Sequence, residues 1–279
     1  MLAISQRATE MPVMTALQDR IEALDIGLFS FVEMQALDTD ARALLALHTA
    51  VAAADTPFAY LEIGSFRGGS LQALVADPRC SRLMSIDPRT AETPDETRGA
   101  YTYEENTTAL MLEHLSRVPG ADMKKLATFE TTTAAMSPAA LPQRPDCCFI
   151  DGEHTNDAVL TDARFCAEAL EGAGIIAFHD WGIVRSAIKA FVREHRRNIS
   201  FGLAINRPRN PTSGYGVFAL ELGEKGILRR PALEHATGAR SYRTWVAANR
   251  PRRSALPLLL AWDAMIAIDS MRPKPKGWR

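Results

Sequence analysis

The chemistry of this 279-residue chain gathers around one glycine-bearing turn and a set of acids and imidazoles that end apolar runs. Residues 60–70 read Tyr-Leu-Glu-Ile-Gly-Ser-Phe-Arg-Gly-Gly-Ser. That is a strand, a turn and a helix start. Its glycines, Gly64, Gly68 and Gly69, let backbone come close to a ligand. The amides that open a helix favour an anionic group such as a carboxylate. Asp87 stands 23 residues beyond Gly64, at the end of the next apolar run. An acid there can accept both hydrogen bonds of a ribose diol. Phe66 occupies the place of the second glycine in the dinucleotide fingerprint, which argues against a pyrophosphate ligand.

These residues need a scaffold. Strands are expected at residues 58–63, 82–86, 126–129, 147–150 and 175–178, and helices at 41–54, 71–76, 106–115, 158–170 and 184–194. Asp38, Thr39 and Asp40 can cap the first of these helices. Residues 1–35 mix helical periodicity with Met and Phe, and residues 89–105 read as a polar loop. Residues 201–206 and 217–220 read as a final strand pair around the loop 207–216. The strands are mainly apolar and do not alternate, so they are buried on both faces in a mainly parallel sheet under helices. The predicted fold class is α/β: a Rossmann-like, mainly parallel sheet with a final antiparallel strand and helical N- and C-terminal additions. Ligands of such sheets lie beyond the carboxyl ends of the strands. Glu62 with Gly64, Asp87, Glu130, Asp151, and His179-Asp180 all fall at such ends.

The pattern E-x-G-x-x-x-G-x-S at residues 62–70, followed by Ser85-Ile86-Asp87-Pro88, resembles the first two motifs of class I S-adenosylmethionine-dependent methyltransferases. The likeness implies that Glu62, Gly64, Ser65, Gly68, Ser70, Asp87, Glu130, Thr131 and Asp151 bind S-adenosylmethionine, with residues 130–133 beside the adenine. Phe149-Ile150-Asp151-Gly152-Glu153-His154-Thr155 and Phe178-His179-Asp180-Trp181 resemble the small-molecule O-methyltransferases near macrocin O-methyltransferase and the cephalosporin-cluster enzymes. That resemblance covers roughly residues 58–220. It implies that Asp151 and Asp180 hold a divalent metal, Mg2+, and that His154 is the general base. Oxygen ligands suit a hard cation, and an imidazole takes a proton near neutral pH. Catechol-type relatives carry Lys where His154 stands, and Asn after the second Asp; here that residue is Trp181, which cannot ligate a metal. His179 is the remaining candidate for a third ligand, although a ring nitrogen suits Mg2+ poorly.

Composition sets the frame. Apolar residues make up 47% and charged residues 23%, as in an ordinary globular protein. The net charge of −1 gives no reason to expect a nucleic-acid partner. Residues 223–279 are nonetheless basic, with 12 Lys/Arg against 4 Asp/Glu. Cys80, Cys147, Cys148 and Cys166 show no metal-ligand spacing and read as reduced thiols of a cytoplasmic protein. The longest apolar stretch, 256–268, is too short to span a bilayer. His48, His114 and His195 read as structural or surface residues, and Arg67 as a candidate contact of the cofactor carboxylate or substrate. The expected organisation is an N-terminal helical segment at 1–55, a catalytic domain at 56–222, and a C-terminal helical extension with a disordered basic tail at 223–279. The expected activity is O-methylation of a hydroxylated small molecule, a natural product or a sugar, by a homo-oligomer. The alternatives are a cofactor-binding accessory protein without chemistry and a nicotinamide-dependent oxidoreductase on a similar fold.

Overall fold

The computed structural model describes residues 11–97, 99–205, 216–238 and 243. The tail and most of the expected C-terminal helical extension, and the loop 207–215, lie outside the described residues. Helix α1 covers Met11–Glu22, and a short 3-10 turn follows at Ile26–Phe29. Helix α2 is Asp38–Ala54 and strand β1 is Phe58–Ile63. A 3-10 turn at Gly69–Leu71 leads into α3, Gln72–Ala76, and then β2, Cys80–Ile86. Two short strands, β3 (Glu92–Asp95) and β4 (Gly99–Thr102), precede α4, Thr108–Ser116. Then come β5 (Leu126–Phe129), β6 (Cys147–Ile150), α5 (Asn156–Ala169), β7 (Gly174–Phe178) and α6 (Arg185–Glu194). Strands β8 (Ile199–Ala204) and β9 (Phe218–Leu222) and helix α7 (Pro231–Thr237) complete the described chain.

Seven strands form one sheet in the order β5-β2-β1-β6-β7-β9-β8. The pairs β5–β2, β2–β1, β1–β6 and β6–β7 are parallel, whereas β9 runs antiparallel to both β7 and β8. This is the Rossmann-like fold expected, with one reversed strand. Every residue of β1, β6, β7 and β9 is buried, which explains their apolar character, interrupted by Glu62 in β1 and Glu221 in β9. Helices cover the sheet. His48 of α2 sets its ring edge-on against Tyr60 of β1, with centroids 5.3 Å apart. Helix α7 packs on α2, and α5 pairs with α6. No helix among the described residues is long and apolar enough to cross a membrane.

The strand order reverses between β1 and β6, and the crevice of such a sheet opens there. Register puts Phe129, Ile86, Ile63, Ile150 and Phe178 side by side across five strands. The residue after each is Glu130, Asp87, Gly64, Asp151 and His179, so these five form one row along the carboxyl edge.

Two expectations need correction. Residues 89–105 are not only loop: β3 and β4 pair as an antiparallel hairpin with Glu92 opposite Thr102. Asp38 and Asp40 do not precede α2 but open it, with Leu37 at the cap position. Asp40 turns back so that its Oδ2 accepts the Leu37 amide at 3.2 Å.

Candidate active site at the strand ends

Gly64 leaves β1 with φ +82°, a conformation that a side chain disfavours. A Cβ on it would stand 2.3 Å from the Asp151 carbonyl oxygen, so glycine is what lets the ends of β1 and β6 lie against each other. Gly69 answers a second close approach. A Cβ there would stand 2.3 Å from the Glu33 carbonyl oxygen. The segment 30–37, between the first 3-10 turn and α2, thus lies directly on the glycine turn. Gln72 pins it: its Oε1 accepts the amides of Phe31 and Val32 at 2.9 and 2.8 Å, and its Nε2 donates to the Val32 carbonyl at 2.8 Å.

Asp87 is buried beside this turn. Its Oδ2 accepts the Phe66 amide at 2.9 Å and its Oδ1 the Arg89 amide at 2.8 Å. The Arg89 guanidinium lies 3.3 Å from the same carboxylate and donates to Ser65 Oγ at 3.1 Å. Ser65 in turn shares a 2.6 Å hydrogen bond with Ser85. Phe66, Arg89 and Asp180 have φ of 44°, 60° and 46°, sparsely populated for side-chain-bearing residues and concentrated here, as strained backbone often is at functional sites.

A cavity of about 940 Å³ opens over this edge. Gly64, Ser65, Ser70 and Asp87 border it, as do Thr131, Thr132 and Thr133 from the end of β5. Asp151, His154, His179 and Asp180 border its other part. Three residues expected on the cofactor side do not line it. Glu62 is buried within β1, accepting hydrogen bonds from Tyr60 Oη at 3.0 Å and from Ser70 Oγ. Burial pushes its carboxyl up to about 8. Gly68 faces Leu115 of α4, and Glu130 is exposed. Arg67 also turns away, to Glu33 at 3.3 Å and Glu105 at 3.7 Å.

The acid and imidazole cluster is compact. His179 Nδ1 is 2.8 Å from Asp151 Oδ1 and 3.6 Å from Asp180 Oδ1. On its far side, His179 Nε2 is 3.5 Å from Asp40 Oδ2. His154 Nε2 is 3.5 Å from Asp151 Oδ1. Burial is the largest single influence on the Asp151 carboxyl and works to raise it, but the charge of His179 and the polar contacts of His154 and His179 together outweigh it and hold the group at about 2. For His179, burial works to lower the pKa, and Asp151, Asp40 and Asp180 together push it well above the usual imidazole range. Asp180 is raised by burial against the pull of His179. Trp181 is turned into the core, 5.8 Å from the Phe218 ring.

The sequence assigns Asp40 no role here. Residues 89–105 and the N-terminal segment are expected from it to help shape the acceptor pocket, though it foretells neither the hairpin nor the part of residues 33–37. Asp40, residues 33–37 and the hairpin all border the cavity, the hairpin through Glu92, Thr93, Pro94 and Tyr101, with Tyr103 just beyond. The hairpin is tied to the His154 segment. Asp95 pairs with His154 as an isolated parallel bridge, and the Glu96 amide donates to the His154 carbonyl at 3.0 Å. Asp162 of α5 also borders the cavity; it accepts the Thr133 hydroxyl, and burial pushes its carboxyl up to about 6.

Residues 61–181 match the family model described as a methyltransferase domain. An uncharacterised protein of Acanthamoeba polyphaga mimivirus, R132, is 28% identical over 122 residues, which are 44% of this chain. The matched region spans 51% of that relative, about half its length. The structure of the O-methyltransferase NovP superposes with a TM-score of 0.54 at 11% identity, covering 76% of this chain and all of NovP. An O-methyltransferase from Bacillus cereus in complex with SAH gives a TM-score of 0.45 at 10% identity, over 74% of this chain and 90% of that one. The likeness to NovP shows a shared fold.

Proposed function

We propose that this chain transfers the methyl group of S-adenosylmethionine to a hydroxyl of a small acceptor, a natural product or a sugar. Residues 56–222 would be the catalytic unit, with additions at either end. The observation that carries the reading is one cavity continuous from Gly64, Asp87 and Thr131 to Asp151, His154 and His179. Its volume, about 940 Å³, is at the upper end of small-molecule sites, room for a cofactor and an acceptor side by side.

The cofactor fits the residues at one end. Asp87 spends one hydrogen bond per oxygen on backbone amides and keeps lone pairs for a ribose diol. Glu62 and Gly68 act on the loop, not the ligand: Glu62 anchors Ser70, and Gly68 seats the turn on Leu115. At the other end, His154 is the base that takes the acceptor proton, worth roughly 10²–10⁴-fold in rate. Its ring borders the cavity and its backbone is tied to β3, so its position is fixed from two elements. Tyr101, Tyr103 and Pro94 offer the acceptor a partly apolar surface. Methyl transfer is a direct displacement, and holding the two reactants in line supplies much of its rate.

The carboxylates of Asp151 and Asp180 suit Mg2+, but His179, whose ring nitrogen lies between them, does not. A divalent ion held there would lower the pKa of an acceptor hydroxyl.

The test is a panel of hydroxylated sugars and aglycones incubated with the protein and S-adenosylmethionine, read by formation of the demethylated cofactor and by product mass. A methylated hydroxyl product that vanishes in His154→Ala supports the reading. Cofactor binding without transfer to any panel member favours the accessory-protein alternative.

A further inference from the structure

The cluster at the ends of β6 and β7 does not have the donors of a Mg2+ site. One ligand atom each from Asp151, His154 and His179 fall within 4.8 Å of one another. Two of the three are imidazole nitrogens. Mg2+ takes oxygen donors in near-ideal octahedra, whereas imidazole suits zinc and the later first-row ions.

Three further observations point to an ion at His179. His179 is only 5% exposed and Asp180 4%, yet neither ring nitrogen of His179 nor Oδ1 of Asp180 has a partner aligned as in a good hydrogen bond. His179 Nδ1 and Asp151 Oδ1 are 2.8 Å apart without the alignment of a hydrogen bond. Two ligands each about 2.1 Å from one ion lie roughly 3 Å apart at right angles, as around a six-coordinate ion, and somewhat farther apart around a tetrahedral one. The third observation is behind the ring. Asp40, 1% exposed, faces His179 Nε2 at 3.5 Å. A carboxylate on the second nitrogen is what orients a metal-binding imidazole and raises its basicity.

We propose that this cluster binds a first-row transition ion such as Co2+ or Zn2+ in preference to Mg2+, with Asp151 and His179 as ligands and Asp40 orienting the His179 ring. Asp180 and His154 border the same position. The methyl-transfer reading is needed only for what the ion would do; ion binding is measured without cofactor or acceptor, so the failure of one is separate from the failure of the other.

The experiment uses the full chain, stripped with chelator and titrated with Co2+ and with Mg2+ alone. Calorimetry gives the affinities and visible absorption reports nitrogen ligation of Co2+. Co2+ should bind at least about a hundredfold more tightly than Mg2+, in line with the donor preferences of the two ions. His179→Asn should abolish that preference, and His179→Asp, which supplies an oxygen donor, should shift it toward Mg2+. Asp40→Asn should weaken Co2+ by about 10–100-fold, the usual effect of losing such a partner. Circular dichroism checks that each variant is folded, and the wild-type preference stands as a test by itself if one is not. Equal affinity for the two ions, Co2+ affinity unchanged in folded His179→Asn, or no binding of either ion would overturn the proposal. The last result would leave His179 as an imidazolium paired with carboxylates.

Discussion

The side-chain amide of Gln72 grips the peptide of Val32 from both sides, accepting its N–H at 2.8 Å and donating to its carbonyl at 2.8 Å. Helix α3 thereby holds the segment that carries residues 33–37 over the glycine turn. Gln72 is fully buried, so Gln72→Leu leaves the amides of Phe31 and Val32 without their partner. The expected cost is about 1–3 kcal/mol of stability. Affinity for the demethylated cofactor should fall with it. Urea unfolding and calorimetry check both; a variant unchanged in both would mean that the segment is held by other contacts.

Gly64→Ala should be far worse than an ordinary glycine substitution. Its Cβ would meet backbone of the β6 end at 2.3 Å, and backbone cannot turn aside as a side chain tip can. A loss of stability above about 2 kcal/mol is expected, since strain at a positive φ adds to the clash. Thermal unfolding measures it. A stable variant with normal cofactor affinity would show that the β1–β6 crossing has slack.

Glu62 makes stability depend on pH. Its folded-state pKa, about 8, lies above the ordinary value of 4.5, so between those values the folded chain binds the proton more often than the unfolded one. Stability therefore falls as pH rises through that window. Denaturant unfolding from pH 5 to 8 should show this decline, and Glu62→Gln should flatten it. An equal slope in both proteins would assign the dependence to other groups.

The row of strand-end residues was legible because each apolar run stops at a polar one: Ile86 at Asp87, Ile150 at Asp151, Phe178 at His179. The hairpin was not. β3 and β4 are short, mostly exposed and include Pro94 and Gly99, and they form a sheet only with each other apart from the single Asp95–His154 bridge, so neither burial nor alternation marks them. Asp40 was readable as a helix-terminal acid, and it does bond the Leu37 amide. Nothing local links it to His179, which the fold brings alongside from a distant part of the chain. Glu62 misled for a related reason. Its place in the motif is that of a ligand contact, but its carboxyl is consumed by Tyr60 and Ser70 inside the sheet.

His154→Ala should slow methyl transfer by about 10²–10⁴-fold, the usual worth of a general base. Its effect on cofactor affinity should be small, because the glycine turn and Asp87 border the other part of the cavity. Single-turnover rates and calorimetry separate the two. Unchanged transfer would remove His154 from the chemistry.

The central claim is that the row from Gly64 to Asp87 binds S-adenosylmethionine, and calorimetric titration tests it most directly. Asp87→Ala removes the carboxylate that would accept the ribose hydroxyls and that also holds the Phe66 amide at 2.9 Å. Wild-type protein should bind S-adenosylmethionine and its demethylated product but not a nicotinamide dinucleotide, and Asp87→Ala should weaken the binding by about 1–3 kcal/mol. Equal affinity in the two proteins, or a nicotinamide dinucleotide bound in place of S-adenosylmethionine, would contradict it.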